Sequence, residues 1–148
     1  MKYFEFLHTV SFEETNALGN VYFSHFLRWQ GRCREQFLWE HVPTLVAALD
    51  DGAAMVTTRC SCEYLAELAA FDRVAVRMRA GEVTQNRLTL LFDYVRLEPD
   101  GAERTAAKGE QQLAWMRWED GRLVPDRVPG ELLSAIDTVA GDAGAWRR

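Results

Sequence analysis

The sequence has no run of basic residues, and across 148 residues its formal net charge is −5 at pH 7. Nucleic acids and anionic membrane surfaces are held by clustered Lys and Arg, so this balance argues against both as partners. No stretch approaches the eighteen or so apolar residues that a membrane span requires. Residues 1–10 alternate aromatic and polar types without a continuous apolar core, so no signal peptide is expected. Cysteine is scarce, with only Cys33, Cys60 and Cys62. An odd count without a secretory leader implies free thiols and a reducing, cytoplasmic setting. There is no Gly-x-Ser-x-Gly elbow, which argues against a Ser-His-Asp hydrolase. His8, His25 and His41 lack metal-ligand spacing, and no Cys/His cluster accompanies them, so neither metal nor cofactor is expected. Repeats, linkers and low-complexity tracts are missing as well.

What is present fits one domain. Apolar residues make up 48% of the chain. A chain of this length buries roughly two-thirds of its unfolded surface, enough for a core without disulfides or metal. Residues 1–140 read as a single domain and 141–148 as a flexible C-terminal tail. Lys2 to Phe12 is aromatic-rich and predicts a strand; the polar stretch Glu13 to Asn20 predicts a loop. From Val21 the period changes. Phe26, Gln30, Cys33 and Phe37 form one stripe with Trp29 beside it, and Leu27, Arg34 and Leu38 form another, predicting a long helix buried on most sides. Pro43 and the run Leu45–Leu49 predict a second, short helix ended by Gly52.

Four strand patterns follow: Ala54 to Tyr64, Arg73 to Val83, Leu88 to Leu97 and Glu103 to Trp118. In the second, Val74, Val76, Met78 and Ala80 share one face and Arg73, Arg77 and Arg79 the other. Pro99-Asp100-Gly101 and Asp120-Gly121 are turn signals, and Gly130 to Val139 predicts a terminal helix. Short connections favour antiparallel neighbours, and a lone apolar helix needs a sheet to cover it. The expected fold is α+β: a curved, five-stranded antiparallel sheet wrapped around the long helix.

The segment Val10-Ser-Phe-Glu-Glu-Thr-Asn16-Ala-Leu-Gly19-Asn-Val-Tyr22-Phe-Ser-His-Phe26-Leu-Arg-Trp29 resembles the opening signature of hotdog-fold thioesterases of the 4-hydroxybenzoyl-CoA type. Glu63-Tyr64-Leu65 and Phe71-Asp72-Arg73-Val74 also resemble that family. Most of its members carry Asp where this chain has Asn16. With Trp29-Gln-Gly-Arg-Cys-Arg34-Glu, the Asn16 form is most similar to the thioesterases of enediyne polyketide biosynthesis. That resemblance implies a hotdog fold and a homodimer or homotetramer with active sites between protomers. It also implies release of a polyene β-keto acyl chain from the acyl carrier protein of an iterative synthase, where a phosphopantetheine arm holds it; the released acid is prone to decarboxylation. Asn16 and Arg34 are its implied catalytic residues, with the backbone N–H near Phe23 as oxyanion donor. An acyl-CoA thioesterase of the 4-hydroxybenzoyl type and a non-catalytic acyl-binding hotdog protein are the alternatives.

The chemistry fits those residue types. Negative charge grows on the thioester oxygen, so aimed donors at a helix N-terminus lower the barrier. An Asn amide donates to a carbonyl or accepts from water, but it is neither nucleophile nor general base. The plain alternative for Asn16 is a loop residue or helix cap. Arg34 lies roughly 16 Å along an ideal helix from Phe23, so it either orients the loop, contacts acyl oxygens, or ties loop to helix through Glu13 or Glu14. Glu63, read as mid-sheet, is either a base acting across a dimer or a solvated strand residue. The Arg73, Arg77 and Arg79 face either meets an acidic carrier and its phosphate or is simply solvated. Cys60 and Cys62 read as small core residues.

Overall fold

A computed structural model of the chain describes residues 2–140. The predicted tail, 141–148, lies outside the described residues. The chain runs β1 (Phe4–Thr9), a 3-10 turn (Phe12–Glu14), α1 (Ser24–His41), α2 (Pro43–Ala48), β2 (Ala53–Tyr64), β3 (Arg73–Val83), β4 (Arg87–Leu97), β5 (Glu103–Glu119), β6 (Arg122–Pro125) and α3 (Gly130–Asp137). All pairings between these strands are antiparallel, in the order β1-β3-β4-β5-β2, with β6 added to β5.

The sheet curls. α1 touches β1 and β3 near one edge and β2 at the other. Five flat strands at about 4.8 Å spacing would put those edges roughly 19 Å apart, too far for one helix of about 10 Å diameter. Register irregularities at Thr57/Arg59, Ala80/Val83 and Tyr94/Val95 supply the bend, since an unpaired residue tightens the local twist. Val74, Val76, Met78 and Ala80 of β3 are all buried, as their alternation predicts. From β4, Leu88, Leu90, Phe92 and Tyr94 join them. From the helix come Phe26, Trp29, Gln30, Cys33, Phe37 and Leu38.

Several boundaries move for local reasons. β1 stops at Thr9 rather than Phe12, because the Ser11 N–H turns to the Glu14 carboxylate, 2.8 Å away. α1 starts at Ser24 rather than Val21, because Val21 bridges Thr15 and donates to Leu68 O. The sheet gains a short sixth strand that four residues were too few to announce: after the Asp120-Gly121 turn, half-buried Leu123 and Val124 pair along β5. α3 buries Leu132, Ala135 and Ile136, and Ala80 N–H bonds Val139 O just beyond it.

Candidate active site

The loop from Ser11 to Phe23 is built around one carboxylate. Glu14 Oε1 takes hydrogen bonds from His8 Nε2 at 2.7 Å and Ser11 N–H at 2.8 Å, and Oε2 from Trp29 Nε1 at 2.7 Å. Burial by itself would favour the neutral acid. The bonds from Ser11, His8 and Trp29, with the charge of His8, outweigh it and hold the carboxyl down at about 2. Beyond it, Thr15 Oγ1 donates to Phe12 O, and Asn16 N–H donates to Asn20 O. Gly19 closes this turn at φ +87°, a conformation that an L side chain resists. Val21 then ties the loop to the segment after β2 through Leu68 O.

This folding sets Asn16, Asn20, Tyr22, Phe23, Phe26, Tyr64 and Glu67 around a cavity of about 320 Å³. Asn16 Oδ1 accepts the Leu18 N–H at 2.9 Å, so the amide nitrogen is the group left to donate. Asn16 is therefore a loop residue closing its own turn, not a helix cap. Phe23 precedes the first residue of α1, and among the described residues its N–H has no hydrogen-bond acceptor. Two tyrosine hydroxyls fix the helix start from the sheet: Tyr64 donates to Phe23 O at 3.0 Å, and Tyr94 to Phe26 O at 2.7 Å. Burial, then the Cys62 thiol beside it, pushes the Tyr64 hydroxyl up to about 12, so it stays a donor. Asn20 Nδ2 donates to Glu67 Oε1 at 3.1 Å.

The other sequence candidates lie elsewhere. Arg34 lines a second cavity of about 580 Å³ with Arg28, Arg32, Leu38, Leu49 and Met55. Its Nη1 donates to Thr57 Oγ1 at 3.1 Å and to the buried Gln111 Oε1 at 2.9 Å, so it grips β2 and β5 rather than Glu13 or Glu14. Burial lowers its pKa, and Glu35 opposes the shift. Glu63 is exposed opposite Lys108 on β2, which is an edge strand of this sheet and not a central one. The carboxylate that does line the Asn16 cavity is Glu67, which no sequence pattern marked. Tyr64 belongs to the Glu63-Tyr64-Leu65 triplet that resembles the family, but only the fold aims it at Phe23.

The arginine face of β3 is not a free cationic patch. Arg77 bridges Glu5 at 2.9 Å and Glu103 at 2.8 Å, and Arg79 bridges Asp93 at 2.6 Å; only Arg73 is exposed. Cys60 is exposed and Cys62 half-buried, so only Cys33 is a full core residue; an edge strand has a neighbour on one side alone. Among the described residues no group of His, Cys, Asp and Glu could hold a metal ion.

A profile of the thioesterase-like superfamily matches residues 10–136. The chain belongs to that superfamily. A search of curated protein sequences finds no match. Among solved structures, the dynemicin thioesterase, described with polyene binding, is 45% identical with a TM-score of 0.90, covering 94% of this chain and 98% of its own. The 4-hydroxybenzoyl-CoA thioesterase of Pseudomonas sp. strain CBS-3 is 12% identical with a TM-score of 0.79, covering 91% and 99%. The 1,4-dihydroxy-2-naphthoyl-CoA thioesterase of Synechocystis is 20% identical with a TM-score of 0.76, covering 91% and 96%. These last two share the fold, which is the hotdog fold, and the superfamily's chemistry is hydrolysis of acyl thioesters.

Proposed function

We propose that the chain hydrolyses a polyene β-keto acyl thioester carried on the phosphopantetheine of an acyl carrier protein in an iterative enediyne polyketide synthase. The observation that carries the reading is that Asn16 and Phe23 line one cavity, with the Asn16 side-chain amide nitrogen and the Phe23 backbone N–H each left to donate. Support for the substrate class comes from the 45% identity to a thioesterase described with polyene binding.

In this reading water adds to the thioester carbon, and the oxyanion is held by the Phe23 N–H and Asn16 Nδ2. The C–S bond then breaks, the proton from water passes to the pantetheine sulfur, and the β-keto acid leaves. Asn16 supplies no base, so the substrate's own β-keto oxygen is the group that orients the water. Asn16→Ala is expected to lower kcat about 100-fold or more, in line with loss of one oxyanion donor. Turnover of a carrier-bound β-ketoacyl thioester beside an aromatic acyl-CoA tests the whole reading. Faster turnover of the CoA ester would turn it toward a 4-hydroxybenzoyl-type enzyme, and wild-type release by Asn16→Ala toward a non-catalytic acyl binder.

Arg34 enters this reading from a partner. Asn16 and Arg34 line two different cavities of one protomer, and among the described residues the long edge strand β2 pairs with no strand on its outer side. A homodimer, alone or paired into a tetramer, that extends the sheet across β2 lets the Arg34 of one protomer serve the Asn16 of another.

A further inference from the structure

We propose that Glu14 is a positioning residue for hydrolysis: its carboxylate joins β1, the loop and α1, and so holds Asn16 and the Phe23 N–H in register on their shared cavity. The proposal rests on the reading of those two groups as the donors that polarise the thioester.

Three donors from three places converge on the one side chain: His8 from β1, the Ser11 N–H from the loop and Trp29 from α1, all within 2.8 Å. The Glu14 side chain is 12% exposed, so water does little to replace a lost partner. From Glu14 the backbone reaches both donors. Two residues forward lies Asn16, in the turn closed by its own N–H to Asn20 O. The Glu14 carbonyl accepts the Tyr22 N–H at 3.0 Å, which fixes the residue just before Phe23. Trp29 is seated against Phe26 at 5.1 Å and His8 at 4.9 Å between ring centroids, so the helix end of the tie is itself packed. A carboxylate suits this place because all three groups donate and it is acceptor-only when ionised. Glutamine keeps the length but turns an N–H₂ toward one of the donors. Aspartate is one methylene too short to span from loop to helix.

The test compares Glu14→Gln, Asn16→Ala and the double variant, using a β-ketoacyl-CoA as the thioester probe. Glu14→Gln is expected to lower kcat about 10- to 100-fold with KM within about threefold, since a shift near 1 Å in a reacting geometry costs that much. Melting is followed in parallel, and the protein is assayed well below its midpoint. In the Asn16→Ala background, Glu14→Gln is expected to cost less than it does in the wild type, because one of the two donors it holds is already removed and only the Phe23 N–H is left to misplace. Wild-type kcat in folded Glu14→Gln overturns the proposal, as does a full multiplicative loss in the double variant. Should Glu14→Gln not fold, Trp29→Phe removes one donor from the same carboxylate and keeps an aromatic ring; kcat must again fall without a matching change in KM. An Asn16→Ala enzyme at wild-type turnover sinks the reading of the site itself, and this role with it. Loss in Asn16→Ala beside normal kcat in Glu14→Gln sinks only the positioning role.

Discussion

At the residue scale, Tyr64 gives the cleanest probe of the helix terminus. Its hydroxyl bonds Phe23 O while its ring meets Phe26 edge-on at 4.9 Å, so Tyr64→Phe deletes one hydrogen bond and little packing. Stability is expected to change by about 1 kcal/mol or less. Turnover is expected to fall about three- to tenfold, because the first turn of α1 loses an anchor beside the donor it presents. Steady-state kinetics with urea unfolding separate the two effects. Glu14 predicts a pH dependence. Its folded pKa is about 2, below the ordinary 4.5, so its contribution to stability is complete above 4.5 and is lost as pH falls toward 2. His8 from β1, Glu13, and His25, Arg28 and Arg32 from α1 line the same cavity as Glu14. Urea midpoints from pH 6 to 2 should fall less steeply for Glu14→Gln than for the wild type; parallel curves would remove Glu14 as the cause.

At the element scale, α1 lies so close to β5 that one methyl group matters. A Cβ on Gly109 would sit 2.1 Å from Gln30 Nε2 and 3.1 Å from Ser61 O. Gln30 is fully buried and donates to Ser61 O at 3.0 Å, so Gly109→Ala must displace it. A loss of about 1–3 kcal/mol is expected from equilibrium unfolding, typical of overpacking plus a broken buried bond. The connection into β3 holds the opposite case. Phe71 adopts φ +72° while 74% exposed, so its side chain returns little for the strained backbone. Phe71→Gly relieves that strain and is expected to raise stability by about 0.5–1 kcal/mol. A lowered melting midpoint would mean the phenyl ring makes contacts that outweigh the backbone.

At the scale of the whole molecule, the separation of Asn16 from Arg34 makes a prediction that no single chain can satisfy. Each of Asn16→Ala and Arg34→Ala should keep only a small residual activity alone. Mixed and reassembled, they should recover about a quarter of wild-type activity, because half of randomly formed dimers carry one intact composite site of two. No recovery on mixing, with exchange verified by mass, would place both residues' roles inside one protomer.

The sequence by itself determined most of the architecture. The alternation of Val74, Val76, Met78 and Ala80 and the stripe Phe26, Gln30, Cys33, Phe37 are periodic signals, and burial follows the period whatever else the chain does. That Asn16 and Phe23 would lie near each other was legible too, because they sit in one contiguous motif whose loop closes on itself through Gly19. What tertiary structure alone decided is everything that depends on two segments meeting. Arg34 turned to Gln111 instead of Glu14, Glu67 rather than Glu63 reached the cavity, and Arg77 and Arg79 found carboxylates on β1, β4 and β5. Periodicity reports which face of an element is buried. It carries no information on which side chain, dozens of residues away, lies opposite, and the hydrogen bonds and ion pairs of this site are formed across just such distances.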